Sequence, residues 1–234
     1  MSEFKRIENI ADYVKTNVEN GEMMPMEFAK TARISAVQGV EGQKIATIMA
    51  NGLKETENTV TLDEKTGQPG WIVTNPGGEQ YIVPDSTFQK KYEIDPQNPN
   101  LFKPKGAPVN CVALSENVVF EAPWGGDMNI AAGGVLVLAG EKDIYGIQAD
   151  EFAQTYGPTD KGARESLSEV LAMLGSDKTP EQVMETALKG KMETELDDLD
   201  AELEALGDKN TNNKNENSTK ENITNDENDD HDVL

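Results

Sequence analysis

Apolar residues recur along this chain with two different periods. At the N-terminus Phe4, Ile7, Ala11, Val14 and Val18 follow one another at steps of three and four, which places them on one helix face. The spacing predicts a helix over 2–19, with Ser2 as N-cap and Gly21 as stop, in an N-terminal segment 1–21. Further on the pattern shortens to β-rich runs: "KIATIMA", "ENTVTLD", "GWIVTN" and "EQYIV", then "PVNCVAL", "NVVFEAP", "GVLVLA" and "DIYGI". Each set closes on a short helix, "DSTFQKKY" with Asp85 or Ser86 as cap and "ADEFAQTY" with Asp150 as cap. After Gly157-Pro158 the helical period returns. Leu167, Val170, Leu171 and Leu174 share a face, Gly175 ends that helix, and Thr179-Pro180 opens another. There Met192, Leu196, Leu199, Leu203 and Leu206 recur at steps of four and three on an otherwise acidic helix.

The two β-rich sets match one another at an offset of 64. Gly70 meets Gly134, Val73 meets Val137, Tyr81 meets Tyr145, Phe88 meets Phe152 and Tyr92 meets Tyr156. A glycine and three aromatics at constant spacing argue for an internal duplication. Extended backwards, the match sets Ile45 against Val109 and Ile48 against Val112. In each copy the Phe and the second Tyr are four apart on a helix, and the first Tyr lies on the preceding strand. Tyr81, Phe88 and Tyr92 are therefore expected as one aromatic core, and Tyr145, Phe152 and Tyr156 as its counterpart. The turns do not match: "NPGG" carries the Pro76-Gly77 order of a type II turn, where the second copy has "GEKD".

The expected architecture is α+β. Two tandem antiparallel-sheet units, each with one short helix, occupy 30–95 and 108–158, joined by a proline-rich linker at 96–107. A helical region at 161–206 and a disordered acidic tail at 207–234 follow. Composition supports the tail: it holds eight asparagines and almost no apolar residue. Hydrophobic content over the 234 residues is 36%, below what a fully packed chain of this length carries.

Net charge is −22, and the last 44 residues carry half of it, with 15 of the 43 acids and 4 of the 21 basic residues. That balance argues against direct nucleic-acid binding, which needs clustered Lys and Arg, and against anionic membrane surfaces. The longest apolar stretch, "IAAGGVLVLAG", is about half a membrane span. No apolar leader is visible at the N-terminus, and the single Cys111 allows no intramolecular disulfide, so a cytoplasmic location is expected.

The same inventory removes several chemistries. His231, the only histidine, lies in the tail, away from any folded site. Zinc sites of Cys and His are excluded by number. Cys111 sits in a β-rich run, where a buried inert thiol is expected. There is no phosphate-binding loop and no dinucleotide fingerprint. No catalytic residue, cofactor or metal site is therefore assigned. The residues set aside as a binding surface are Trp71, Asn75, Glu79, Trp124 and Asp127, on or beside the non-matching turns.

The segment "QPGWIVTNPGGEQYIVPDSTFQKKYE" resembles the PGDYG family of small bacterial and phage proteins. Pro69, Gly70 and Trp71 fall on its first motif, Gly78, Glu79 and Tyr81 on its second, and Phe88 and Tyr92 on its helix. The chain departs from the family in having Trp71 directly after Gly70, without the hallmark aspartate. The resemblance covers 44–94 and, more distantly, 108–158. It implies an α+β unit and a phage or mobile-element setting, hence host cytoplasm or virion, and it brings no catalytic residue.

Three functional readings follow. The first is a non-enzymatic binding or assembly protein that meets a protein partner, or another copy, through its helical regions. The second is a small-ligand module, or an enzyme without familiar motifs, with a pocket between the units lined by Trp71 or Trp124. The third is an acidic nucleic-acid mimic, which requires acids arrayed on one folded face.

Overall fold

A computed structural model describes residues 3–49 and 52–217. The chain is α+β. Through the first repeat it runs β1 (Lys5–Ile7), α1 (Ile10–Glu19), β2 (Met26–Lys30), β3 (Ser35–Gln38), β4 (Lys44–Ile48), β5 (Lys54–Thr59), β6 (Trp71–Thr74), β7 (Gln80–Val83), α2 (Asp85–Lys91) and β8 (Tyr92–Asp95). It continues with β9 (Asn98–Pro104), β10 (Pro108–Ala113), β11 (Val118–Glu121), β12 (Asp127–Ile130), β13 (Val135–Gly140), β14 (Asp143–Ile147), α3 (Ala149–Thr155), β15 (Tyr156–Pro158), α4 (Ala163–Met173) and α5 (Pro180–Asn217). Residues up to Thr186 form one compact unit, and the rest of α5 forms a second.

The N-terminal helix is shorter than its apolar stripe predicts. Asn9 caps α1, its Oδ1 accepting from the Ala11 and Asp12 amides at 3.1 and 3.2 Å. The residues before it form β1, which pairs in parallel with β11 and buries Ile7. The expected cap Ser2 lies outside the described residues. Val14 and Val18, on the predicted face, are fully buried, and Gly21 ends the segment with φ +74°.

The segment expected as a linker, 96–107, is instead a strand. β9 returns along β8 with Ile94 opposite Phe102, and Phe102 bridges to Ile34 through amide–carbonyl bonds of 2.9 and 2.8 Å. Beyond that bridge β9 forms no ladder with β3. The prolines at 99 and 104 are tolerated because few amides are needed on that side. The first sheet is thus the three strands β7-β6-β3, extended toward the β9–β8 hairpin only by the Ile34–Phe102 bridge. The second is ordered β14-β13-β10-β2-β15. With that hairpin counted, the two orders correspond strand for strand, and the correspondence exposes an exchange. β9 precedes β10 in the chain but completes the first sheet. β2 precedes β3 in the chain but completes the second, pairing with both β10 and β15. Phe102 and Phe28 occupy equivalent places, opposite Ile94 and Pro158, and each meets its helix phenylalanine edge-on: Phe102 to Phe88 at 5.0 Å and Phe28 to Phe152 at 4.9 Å. Each repeat therefore donates its first strand to the other, as in a strand-swapped dimer joined into one chain.

This exchange corrects the sequence alignment before residue 68. The strand equivalent to β10 is β3, not β4. Ala36 lies opposite Val73 as Cys111 lies opposite Val137. The β4–β5 hairpin corresponds to β11–β12, and the first repeat carries extra residues here, chiefly in the loop 60–70. An ungapped offset cannot cross that insertion. From Gly70 to Asp95 the offset of 64 holds for every element. The matched glycines have a common cause. A Cβ on Gly70 would sit 3.1 Å from the Val83 carbonyl oxygen, and a Cβ on Gly134 would sit 3.1 Å from that of Ile147.

The second sheet is covered on both sides, which accounts for the unbroken apolar run of β13. One face packs Val112, Leu136, Leu138 and Ile144 against α1, α4 and the β11–β12 hairpin, with Leu167, Val170 and Leu171 of α4 fully buried as their spacing predicts. The other face packs Cys111, Val135 and Val137 against Phe28 and Phe152. The first sheet has its own core of Ile34, Val73, Val83, Phe88 and Tyr92, closed by Trp71 and Phe102.

Helix capping departs from expectation at both short helices. Pro84 stands at the N-cap position of α2, and the Ser86 amide and hydroxyl donate to Asp63 of the 60–70 loop at 2.8 and 2.7 Å. Those bonds, together with the Lys65 and Thr66 amides, hold the Asp63 carboxyl down at about 2. Asp85 accepts instead from the Trp71 indole at 2.7 Å. Gln148 stands at the N-cap position of α3, with Asp150 at the second position of the helix. At α5 the expected cap holds: Thr179 and Gln182 exchange bonds of 2.9 and 3.4 Å. That helix passes the expected boundary at 206 and runs to Asn217; residues 218–234 lie outside the described residues.

Candidate functional site

The turn "NPGG" and the end of the exchanged strand β2 meet at the junction of the two repeats. In the turn, the Gly78 amide donates to the Asn75 carbonyl and the Asn75 amide to the Glu79 carbonyl, both at 2.9 Å. The positive φ falls on Gly78 at +91°, so the expected type II turn on Pro76-Gly77 is replaced by a tight turn followed by a left-handed glycine. Gly77 sits against α3. A Cβ there would approach Glu151 Oε2 at 3.1 Å and Gln154 Oε1 at 3.2 Å.

Lys30, the last residue of β2, reaches into this junction. Its Nζ donates to Asn75 Oδ1 at 2.8 Å and to the Tyr81 hydroxyl at 2.7 Å. Three tyrosine rings surround the ammonium, Tyr81 at 5.0 Å, Tyr156 at 5.9 Å and Tyr92 at 6.0 Å. The Tyr81 and Tyr92 hydroxyls lie 3.1 Å apart, and Tyr145 bonds Tyr156. Tyr81 and Tyr92 pack in the first core and Tyr145 against the second, while Tyr81, Tyr92 and Tyr156 also surround Lys30 at the junction. Phe88 and Tyr92 do stack in the first core at 5.1 Å, and Phe152 stacks on Tyr156 at 5.0 Å, but Tyr81 and Tyr145 turn their hydroxyls toward the shared centre. Burial pushes all four phenols upward.

Carboxyl groups complete the cluster. Asn75 Nδ2 donates to Glu79 Oε2 at 2.9 Å. Glu79 and Glu151 lie within hydrogen-bonding reach of one another, across the junction between turn and helix. Glu55 of β5 is 3% exposed and bonds Gln148. The Glu151 Oε1 atom is buried without a hydrogen-bond partner. Burial raises Glu55 to about 8, with Glu79 adding to the shift, and raises Glu79 to about 7, with Glu151 adding to it. Burial also raises Glu151. Lys30 is lowered to about 8 by burial, opposed by Glu79 and Glu151. Chemically, the cluster can hold and release protons near neutral pH.

Comparison with family models, curated proteins and solved structures yields no match to this chain.

Of the residues set aside from the sequence, Asn75 and Glu79 enter this cluster. Trp71 does not: it stacks on Phe88 at 4.4 Å inside the first core. Trp124 is exposed on the β11–β12 turn, and Asp127 pairs with Arg6 at 2.5 Å. Lys30, Glu55 and Glu151 carried no local signal, since a single Lys ending a strand or a Glu opening a helix is ordinary. The cluster also breaks the repeat. Pro104 stands where Lys30 would recur, Thr87 where Glu151 would, and Ala139 where Asn75 would. Cys111 is buried, and burial pushes its thiol up to about 12. Among the described residues no group of three or more His, Cys, Asp or Glu is placed to hold a metal ion, and no helix is long and apolar enough to cross a membrane.

A second feature lies on α5. Val183 is buried in the large core, but the following stripe, Met184, Leu188, Met192, Leu196, Leu199 and Leu203, is 44–65% exposed. Acidic residues flank it: Glu193, Glu195, Asp200 and Glu202 stand next to the stripe, with Asp197 and Asp198 behind.

Proposed function

We propose that this chain is a non-enzymatic binding and assembly protein whose α5 helix docks an amphipathic partner helix with basic flanks. The exposed leucine–methionine stripe on α5 carries the reading. Written as heptads, Leu196 and Leu203 take the a positions and Met192 and Leu199 the d positions, a seam that buries itself only against another apolar face. The residues beside that seam, at e and g, are Glu193, Glu195, Asp200 and Glu202, all acidic. A second copy would set like charges against like in either orientation, whereas a partner with Lys or Arg at those positions pairs every one. The setting implied by the PGDYG resemblance, a phage or mobile element acting in host cytoplasm or virion, fits an assembly role and belongs to this proposal.

The probe is a synthetic helical peptide with a leucine seam and lysine flanks, titrated into the full chain by fluorescence anisotropy. Binding that weakens with salt and is lost in Leu196→Glu is the expected result. Equal affinity for a glutamate-flanked control peptide, or no binding, overturns the reading. Sedimentation of the chain alone should show a monomer, and a dimer abolished by Leu196→Glu would put a second copy on this face instead.

A further inference from the structure

The junction cluster ties the turn of the first repeat to the second. The Asn75–Glu79 turn belongs to the first sheet. Lys30 and α3 belong to the second. Three connections cross the gap: Lys30 to Asn75 and Tyr81, Asn75 to Glu151, and Glu79 to Glu151. The last differs in kind from an ordinary ion pair. Two carboxyl groups within hydrogen-bonding reach attract only while one of them keeps a proton; two carboxylates repel.

We propose that this junction is a proton-operated clasp: one proton shared between the Glu79 and Glu151 carboxyls fastens the turn of the first repeat to α3 of the second, and its loss to solvent frees the turn and uncovers Lys30.

The surroundings of the pair favour this. Facing it are Lys30 of β2, Glu55 of β5 and Asp150 of α3, with Lys91 of α2 further off beside Lys30. Tyr81, Tyr92, Tyr145 and Tyr156 close the cluster as neutral hydroxyls. With the shared proton in place, one carboxylate balances one ammonium. With it gone, two carboxylates share one ammonium, and Glu55, once ionised, adds a third charge beside the pair. Asn75 has no further donor to offer, because its amide bonds both Glu79 and Glu151 and its oxygen accepts from Lys30. Glu151 Oε1 has no donor of its own, so full ionisation leaves a buried charged oxygen unpartnered. Gly77 brings the turn close against α3, where a Cβ would approach Glu151 Oε2 at 3.1 Å and Gln154 Oε1 at 3.2 Å, so the pair sits at the seam between the turn and that helix. The equivalent turn of the second repeat, Ala139–Asp143, lacks these partners, so the device is built once.

Hydrogen–deuterium exchange of the full chain, corrected for intrinsic rates, tests this between about pH 5.5 and about pH 8.5. Amides of the Asn75–Val83 hairpin and the first turn of α3 should lose protection about tenfold per pH unit within that window, as opening coupled to release of one proton demands. In Glu151→Gln the amide keeps the bond to Glu79 at every pH, and the change should fall to about twofold or less across the window; Glu79→Gln should behave alike. The same pH profile in wild type and both variants overturns the clasp. A carbon-13 titration of glutamate carboxyls in the wild-type chain decides independently of how the variants fold. At least two carboxyls should titrate above about pH 6, and all of them titrating below about pH 5.5 overturns it.

Discussion

Replacing Phe102 with alanine separates strand exchange from simple tandem packing. In the chain Phe102 adjoins the second repeat, yet its ring lies in the first core, 5.0 Å from Phe88 and 5.8 Å from Trp71, both edge-on. Truncating a buried phenylalanine costs about 3–5 kcal/mol. Phe102 is only partly buried, which sets the expectation at the low end, about 3 kcal/mol, with the two aromatic contacts included in that figure. In a unit of this size that lowers the thermal midpoint by about 6–12 °C. The location of the loss is the sharper observable. Hydrogen exchange should accelerate in β3, β6, β7 and α2, and spare β10, β13 and β14. Phe28→Ala, the equivalent change on β2, should do the reverse, because Phe28 packs on Phe152 of the second repeat. If Phe102→Ala loosens the second sheet while the first keeps its protection, the exchange of strands is wrong.

Other expectations follow from particular groups. Glu55 and Glu79 are held at about 8 and about 7 against an ordinary 4.5, so their contribution to stability is full below about pH 4.5 and is lost as pH rises through 7 to 8. Lys30, lowered to about 8 from 10.5, acts oppositely and restores stability between about pH 8 and pH 10.5. Urea denaturation should therefore find less stability at pH 8 than at pH 5.5, and Glu55→Gln should flatten that slope; an unchanged slope refutes the assignment of Glu55. Gly134→Ala should cost more than Gly70→Ala, about 1–3 kcal/mol, because its Cβ would lie 2.4 Å from Ile130 Cγ2 whereas that of Gly70 comes no closer than 3.1 Å to any neighbour. Equal urea midpoints for the two variants would contradict this. A thiol reagent should leave Cys111 unmodified in the native chain and react fully on unfolding, since burial keeps its thiol protonated.

Much of the architecture is legible because it is written in local spacing. Leu167, Val170 and Leu171 sit on one turn-repeat and are buried together; Val14 and Val18 likewise. The offset of 64 is visible because Gly70 and Gly134 must pass close to a carbonyl and because each short helix must bring a phenylalanine to its sheet. Local spacing misleads where a side chain or an insertion intervenes. Asn9 takes the cap that the apolar stripe assigns to Ser2, and the prolines of β9 disguise a strand that needs few amides on one side. Asn75 and Glu79 stood out only as polar residues on a glycine turn; nothing near them points to Lys30, Glu55 or Glu151.

The sequence by itself determined the elements, the inert thiol and the acidic flanks of the apolar stripe, because each depends on residues within a turn or two of one another, and it showed the duplication through a repeated local spacing. Tertiary structure alone decided which sheet β2 and β9 complete. Both strands pair with partners far along the chain, and loop lengths of three or four residues permit either pairing. That same decision places Lys30 beside the Asn75 turn and sets Glu79 against Glu151. The junction's chemistry is therefore a product of strand exchange, invisible until the two repeats are seen to have traded their first strands.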